Sequence, residues 1–254
     1  MNKQTQKDQS FDQIAEKFDR NIYGTSKGKL RHELLLHHLS KHLPVSPLKV
    51  LDAGGGTGVM TQSMLELGHQ VLLNDVSEDA LTLAKDKLSS AGDVRFHCGP
   101  IVSLPETEQF DLVICHAVLE WLSEPFDTVD HLLKLVAPGG CLSLSFFNRD
   151  AHLFSNLIYG NFDYIKKDFI VPNRVRLNPN NSLYPAEVIG YFEKAGWDVF
   201  HKAGIRCFHD YVRDKSLQQS HYEELKASEL AYGDKHPYLW LGRYFHLLAR
   251  PVTG

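Results

Sequence analysis

Between residues 48 and 148 short apolar runs alternate with amphipathic ones, and that alternation constrains the fold more than any other feature of the chain. "LKVLDA", "HQVLLND", "DVRFHC", "FDLVICHAV" and "CLSLSFFN" have strand length and are rich in Val, Leu, Ile and Phe. "GVMTQSMLELG", "SEDALTLAKDKLSSAG" and "PFDTVDHLLKLVAPGG" carry apolar residues at helical spacing, with Ser77 at one start and glycines at the ends. Strands linked through helices make right-handed crossovers and a parallel sheet covered on both faces. The expectation is a doubly wound α/β fold.

Two amphipathic stretches precede this core. "FDQIAEKFD" (11–19) spaces Phe11, Ile14, Ala15 and Phe18 helically, and "GKLRHELLLHHLSKHL" from Gly28 does the same with Leu30, Leu34, Leu35 and Leu39. Between them lies a polar loop holding Tyr23. After the fifth strand, residues 148–184 break the rhythm with Asn, Pro, Tyr and basic residues, an insertion with little core of its own. "PAEVIGYFEKAGW" reads as a helix and "WDVFHKAGIRCF" as a strand; a polar helical stretch follows from about His209 to Tyr232, then a terminal strand "YLWLGRYFHLLAR". At 254 residues, 43% of them hydrophobic, the chain suits one domain. Its expected parts are a helical cap (1–44), a cofactor-binding core (45–147), a substrate-side insertion (148–184) and a carboxyl-terminal part of the sheet with a substrate-side helix (185–254).

The first strand-to-helix turn, "VLDAGGGTGVM", is where a doubly wound sheet takes its ligand. Gly54, Gly56 and Gly58 follow G-x-G-x-G, whereas a dinucleotide turn needs a glycine where Val59 stands. Glycines allow the ligand to approach the backbone, Gly55 included. Asp52 at the strand end favours a cationic or zwitterionic group over a pyrophosphate, and S-adenosylmethionine carries such a group. Asp75 ends the second strand, where a carboxylate can accept both ribose hydroxyls.

Turn and acid resemble those of the class I S-adenosylmethionine-dependent methyltransferases, on "LDAGGGTG" (51–58) and Asp75. The resemblance implies a Rossmann-like, mostly parallel seven-stranded sheet whose last strand is antiparallel. Many members have an acid after the third strand for the adenine amino group; here the sequence is "HCGPIVSLP", which leaves Gly99 and Pro100 for adenine. The segments "FDQIAEKFDRNIYGTSKGKLR", "HAVLEWL", "GNFDY", "AGIRCFHDYVRDK" and "LGRYFHLLAR" resemble the bacterial tRNA methyltransferases that esterify 5-carboxymethoxyuridine at the wobble position. That resemblance implies a tRNA substrate met at its anticodon region and places Arg31 and His116 beside the cofactor. Periodicity alone reads Arg31 as a surface helix residue.

With a net charge of −4 the surface as a whole does not attract a polyanion, so RNA contact requires local patches. Lys166, Lys167, Arg174 and Arg176 lie in the insertion, and Lys202, Arg213 and Lys215 flank "CFHDY", where Phe208 and Tyr211 offer stacking surfaces. Such clusters also occur as solvated faces. A carboxylic acid is already ionised at pH 7, so its methylation needs alignment and charge and no general base. Arg206 leads the residues expected to hold it, followed by Tyr23, His209, Tyr211 and Arg243. The alternative is a small-molecule O-methyltransferase acting on an acid or phenol; a non-catalytic cofactor-binding protein is a third reading.

Cys98, Cys115, Cys141 and Cys207 are far apart and read as buried reduced thiols, with no metal-ligand spacing. No run is long and apolar enough to span a bilayer and the first residues lack a signal peptide's apolar core, so the expectation is a cytoplasmic protein with no membrane association and no obligate protein partner.

Overall fold

The computed structural model describes residues 25–169 and 182–252. The expected helix over 11–19, Tyr23, Arg174 and Arg176 lie outside the described residues. Seven strands form one sheet: β1 (Lys49–Ala53), β2 (Gln70–Asp75), β3 (Val94–Cys98), β4 (Phe110–His116), β5 (Val136–Phe147), β6 (Trp197–Ile205) and β7 (Tyr244–Pro251). Their order is β3-β2-β1-β4-β5-β7-β6, with β7 antiparallel to both neighbours. The chain winds outward from β1 through β2 to β3, then returns to the other side of β1 for β4 and β5. The reversal between β1 and β4 opens a crevice at their carboxyl ends.

The helices are α1 (Ser26–Ser40), α2 (Val59–Glu66), α3 (Glu78–Leu88), α4 (Pro125–Lys134), α5 (Arg149–Ile158), α6 (Phe162–Lys166), α7 (Pro185–Lys194) and α8 (Tyr222–Tyr232). Helix α3 starts as its sequence suggests. The Ser77 hydroxyl accepts from Ala80 N, acids fill the first turn and lysines the last. Strand residues alternate between two cores: Val50, Leu112 and Ile114 join α1, α2 and α3, while Leu51, Val113 and Leu142 join α4 and α7.

Four boundaries differ from the sequence reading. Helix α4 stops at Lys134, and residues 136–140 join β5 because Gly140 passes so close to Phe110 and Asp111 that a Cβ there would sit 2.7 Å from the Asp111 carbonyl. Strand β6 stops at Ile205, since Arg206 turns the chain at φ 65°. The amides of Cys207, Phe208 and His209 donate to the buried Glu229 carboxylate at 2.6–2.9 Å, so the chain from His209 cannot begin as a helix; one turn at Leu217–Ser220 precedes α8. Tyr238–Leu241 is a 3-10 turn, and β7 begins at Tyr244. The thiols also differ: Cys115 and Cys207 are buried, Cys141 is half-buried, and Cys98 is exposed at the end of edge strand β3.

Helix α1 meets the sheet through imidazoles. The His201 Nε2 and His38 Nδ1 atoms are 3.1 Å apart, the His38 ring lies 5.9 Å from that of His246, and His42 covers His201 at 4.6 Å. Burial pushes His38 down to about 3 and His201 to about 4, helped by neighbouring imidazoles, and holds His246 well below its ordinary value. An unfolded histidine titrates near 6.5. Below that pH the unfolded chain binds protons these imidazoles refuse, so their contribution is complete above pH 6.5 and declines as pH falls toward 3. For His38 the loss at pH 5 is about 2 kcal/mol. Urea unfolding of His38→Asn at pH 7 and pH 5 should show an acid loss smaller than the parent's by about that amount; equal losses would mean that His38 is not a neutral buried base.

Candidate active site

The turn after β1 is built around glycines in a conformation other residues avoid. Gly54, Gly56 and Gly58 have φ of 70°, 57° and 79°. A Cβ on Gly54 would lie 2.5 Å from Val118, one on Gly55 2.6 Å from the Asp52 carboxylate, and one on Gly58 2.9 Å from Leu88. A Cβ on Gly56 meets nothing within 4 Å. The turn is therefore closed on three sides and open at Gly56.

Both acids support it. Asp75 accepts from Gly56 N through one oxygen and from Ser77 N through the other, each at 2.9 Å. These two amides hold the carboxylate at the end of β2, beside the open glycine. Asp52 is buried beneath the turn and accepts from the Thr61 hydroxyl at 2.7 Å. Burial pushes its carboxyl up to about 6, against the Thr61 hydrogen bond and with the nearby Asp75 charge; a cationic ligand group would favour its ionised form. Open glycine, diol acceptor and buried acid fit the ribose and the methionine ammonium of S-adenosylmethionine.

Gly99 and Pro100 follow β3 next to this acid, with Gly99 N donating to the Asp75 carbonyl at 2.9 Å. Buried Asn74, which sequence reasoning missed, donates from Nδ2 to the Gly99 carbonyl at 2.8 Å and fixes that corner. On the other side of the crevice, the structure brings Arg31 to His116. Arg31 is buried on α1, its guanidinium 5.3 Å from the Tyr244 ring centre, and burial together with the Arg31 charge pushes His116 down to about 3. His116 Nε2 is 2.8 Å from Ser143 Oγ. Glu120, also missed, sits on the turn after β4 with Oε2 buried and unpartnered; burial pushes its carboxyl up to about 7, against backbone hydrogen bonds and the Arg31 charge. A lone acid inside "AVLEWL" was the available signal.

The expected acceptor residues separate into two groups. Arg206 is bound to Asp210 by a forked ion pair, Nε donating to Oδ1 at 3.1 Å and an Nη to Oδ2. Burial alone would raise Asp210; Arg206 and hydrogen bonds from His209 and Arg206 hold it well below the usual carboxylate range. His209 is fully buried with Nδ1 2.9 Å from Asp210 Oδ1, and the Tyr211 hydroxyl donates to the Leu241 carbonyl at 3.1 Å. These three are knitted into the loop that Glu229 clamps. Arg243 differs: its guanidinium lies 4.5 Å over the Phe147 ring at the end of β5, and among the described residues it makes no ion pair.

The basic residues are spread. Lys166 and Lys167 are exposed at the end of α6, Lys166 3.7 Å from Asp163. Lys215 donates to the Asp210 carbonyl at 2.7 Å beside the Arg206 loop, and Arg213 is exposed nearby. Lys202 is exposed on β6, three residues below the strand end. Phe208 is half-buried and packs edge-on against Tyr232 and Tyr238. No helix of the described residues is long and apolar enough to cross a membrane.

A methyltransferase domain model matches residues 51–144. The chain is 42% identical over 252 residues, 96% of each chain, to a tRNA 5-carboxymethoxyuridine methyltransferase of Escherichia coli K12. It is 32% identical over 201 residues, 72% of this chain and 82% of the relative, to a ubiquinone biosynthesis O-methyltransferase of Nitrosospira multiformis. Among solved structures, the magnesium protoporphyrin IX methyltransferase of Synechocystis PCC 6803 with bound SAH shares the fold, at a TM-score of 0.66 and 17% identity over 95% of this chain and 96% of that one.

Proposed function

We propose, since this chain belongs to the family of the tRNA 5-carboxymethoxyuridine methyltransferases, that it methylates the carboxylate of 5-carboxymethoxyuridine at the tRNA wobble position, using S-adenosylmethionine. The observation that carries this is full-length identity of 42%, joined to a glycine turn and ribose acid that fit the cofactor. The small-molecule alternative has weaker support, since its relatives match less of the chain at lower identity.

The cofactor supplies an electrophilic methyl group. For this chain's residues we assign Asp75 to the ribose hydroxyls, Asp52 and the Gly54–Gly58 backbone to the methionine end, Arg31 to its carboxylate, His116 to the wall of the methionine arm, and Gly99 and Pro100 to the adenine. On the acceptor side we assign Arg243, a cation against an aromatic ring with no ion pair among the described residues, to hold the substrate carboxylate. An ionised carboxylate needs alignment and partial removal of water and no proton acceptor, and His116, held neutral, adds no competing charge. Exposed Lys166, Lys167, Lys202, Arg213 and Lys215 are assigned to the RNA backbone. Compartment and partners follow as further expectations: a cytoplasmic enzyme that meets tRNA without an obligate protein partner.

Asp75→Ala tests the cofactor half. Calorimetry should show S-adenosylmethionine binding at least about tenfold weaker, in line with the roughly 1.5–3 kcal/mol of hydrogen bonds to a charged group. Unchanged affinity would move the ribose elsewhere. The acceptor is tested by mass spectrometry of nucleosides after incubation with tRNA carrying 5-carboxymethoxyuridine; absence of the methyl ester would refute the assignment.

A further inference from the structure

At the carboxyl end of β5 five planar groups form a column. The Arg149 guanidinium lies 4.2 Å from the Phe169 ring centre, Phe169 is 4.4 Å from the His152 imidazole at a tilt of 34°, His152 is 5.0 Å from Phe147 at 43°, and the Arg243 guanidinium is 4.5 Å from the Phe147 ring centre. Tilted aromatic contacts of this kind occupy much of the ring surface and leave the ring nitrogens for hydrogen bonds. Arg149 donates to Asp168 and, at 3.4 Å, to Ser182. Arg243 makes no ion pair among the described residues, and His152 Nδ1 is buried with no hydrogen-bond partner. Leaving such an atom unpartnered costs roughly 1–3 kcal/mol, and no packing need explains it, because phenylalanine would fill the same place in the stack.

The column's place gives the reason. His152 stands on the first turn of α5, directly after the strand end where the acceptor must meet the methyl group. Burial, with Arg243 and Arg149 adding to it, pushes the imidazole down to about 4, so it is neutral and offers one N–H. A half-turn about χ2 exchanges its edges without disturbing the stack, so that N–H can face the acceptor. A neutral donor near the Arg243 guanidinium suits a nucleophilic carboxylate: it adds a hydrogen bond without a second full charge to quench attack. It also favours substrate over product, because the methyl ester has lost the charge that both groups recognise.

We propose that His152 is a specificity-determining residue that, with Arg243, hydrogen-bonds the carboxylate of the acceptor nucleotide, an inference that rests on the tRNA reading above. His152→Phe keeps the stack and removes the donor; His152→Gln keeps a donor and loses the ring. With tRNA carrying 5-carboxymethoxyuridine, His152→Phe should raise KM about tenfold or more, with kcat within about threefold and melting temperature and S-adenosylmethionine affinity unchanged; His152→Gln should recover most of the KM. An unchanged KM in His152→Phe would reduce His152 to a stacking residue and overturn the proposal while leaving the enzyme's activity established. A wild-type protein that binds S-adenosylmethionine but does not methylate this tRNA would overturn the tRNA reading and the proposal with it. Histidine-selective 15N spectra of the wild type supply a readout independent of mutant folding. The His152 signal should move on addition of an anticodon stem-loop bearing 5-carboxymethoxyuridine and stay in place with one bearing uridine; equal response to both would also refute the role.

Discussion

Asn148→Ala should lower stability by about 3–5 kcal/mol, the largest loss expected from removing a single side-chain amide in this fold. Asn148 is fully buried where β5 passes into α5. Its Nδ2 donates to the carbonyls of Trp240 and Gly242, both at 2.9 Å, and its Oδ1 accepts from Asp150 N at 3.0 Å as the cap of α5. Alanine leaves two carbonyls without this donor, about 1–2 kcal/mol each, and removes a cap of about 1 kcal/mol. Thermal unfolding should fall by about 10 °C, given roughly 2–4 °C per kcal/mol for a chain of this size. Asn148→Ser, which retains a cap oxygen, should recover about 1 kcal/mol. A loss below 1 kcal/mol in the alanine variant would show that the 240–242 loop holds its place without the amide.

Arg243→Ala should reduce kcat/KM on tRNA by about a hundredfold, equivalent to about 2.7 kcal/mol, while S-adenosylmethionine affinity stays within a factor of two of the parent. The size follows from the assigned role, the loss of one charged hydrogen-bond donor to a carboxylate. Arg206→Ala should behave differently, because it strands the Asp210 carboxylate in the interior: the expected result is a protein destabilised by about 3 kcal/mol or more. Steady-state kinetics paired with urea unfolding separates the two. A stable Arg206→Ala protein with a hundredfold rate defect, beside an active Arg243→Ala, would reverse the assignment.

The glycine turn and its flanking elements were legible because their determinants are local. Glycine requirements at φ 57–79°, a strand-end acid and a serine cap all act within a few residues of themselves, and short-range pattern carries them. The region around Asn148 and Arg206 was written over longer distances. Asn148 is 92 residues from Trp240, and the pairing that occupies Arg206 depends on a turn that no propensity announces, since arginine at φ 65° is unusual. Glu229 looked like one more acid on a polar helix; only the fold brings it to the three amides of Cys207, Phe208 and His209. His152 lies in the insertion, and only the fold brings it within 5.0 Å of Phe147 and 4.4 Å of Phe169.

The Ser143 hydroxyl lies between two imidazoles, 2.8 Å from His116 Nε2 and 2.9 Å from His246 Nε2. A hydroxyl has a single proton, so it can donate to only one of them and must accept from the other. The three groups consequently share one directional choice. If Ser143 donates to His246, His116 carries its proton on Nε2 and turns a lone pair toward its other side; if Ser143 donates to His116, the proton of His116 sits on Nδ1. The tautomer of His116, the residue assigned to the methionine arm, is thereby inherited from His246 on β7, and a change at His246 would reach His116 as a reversed hydrogen-bond polarity with no atom needing to move.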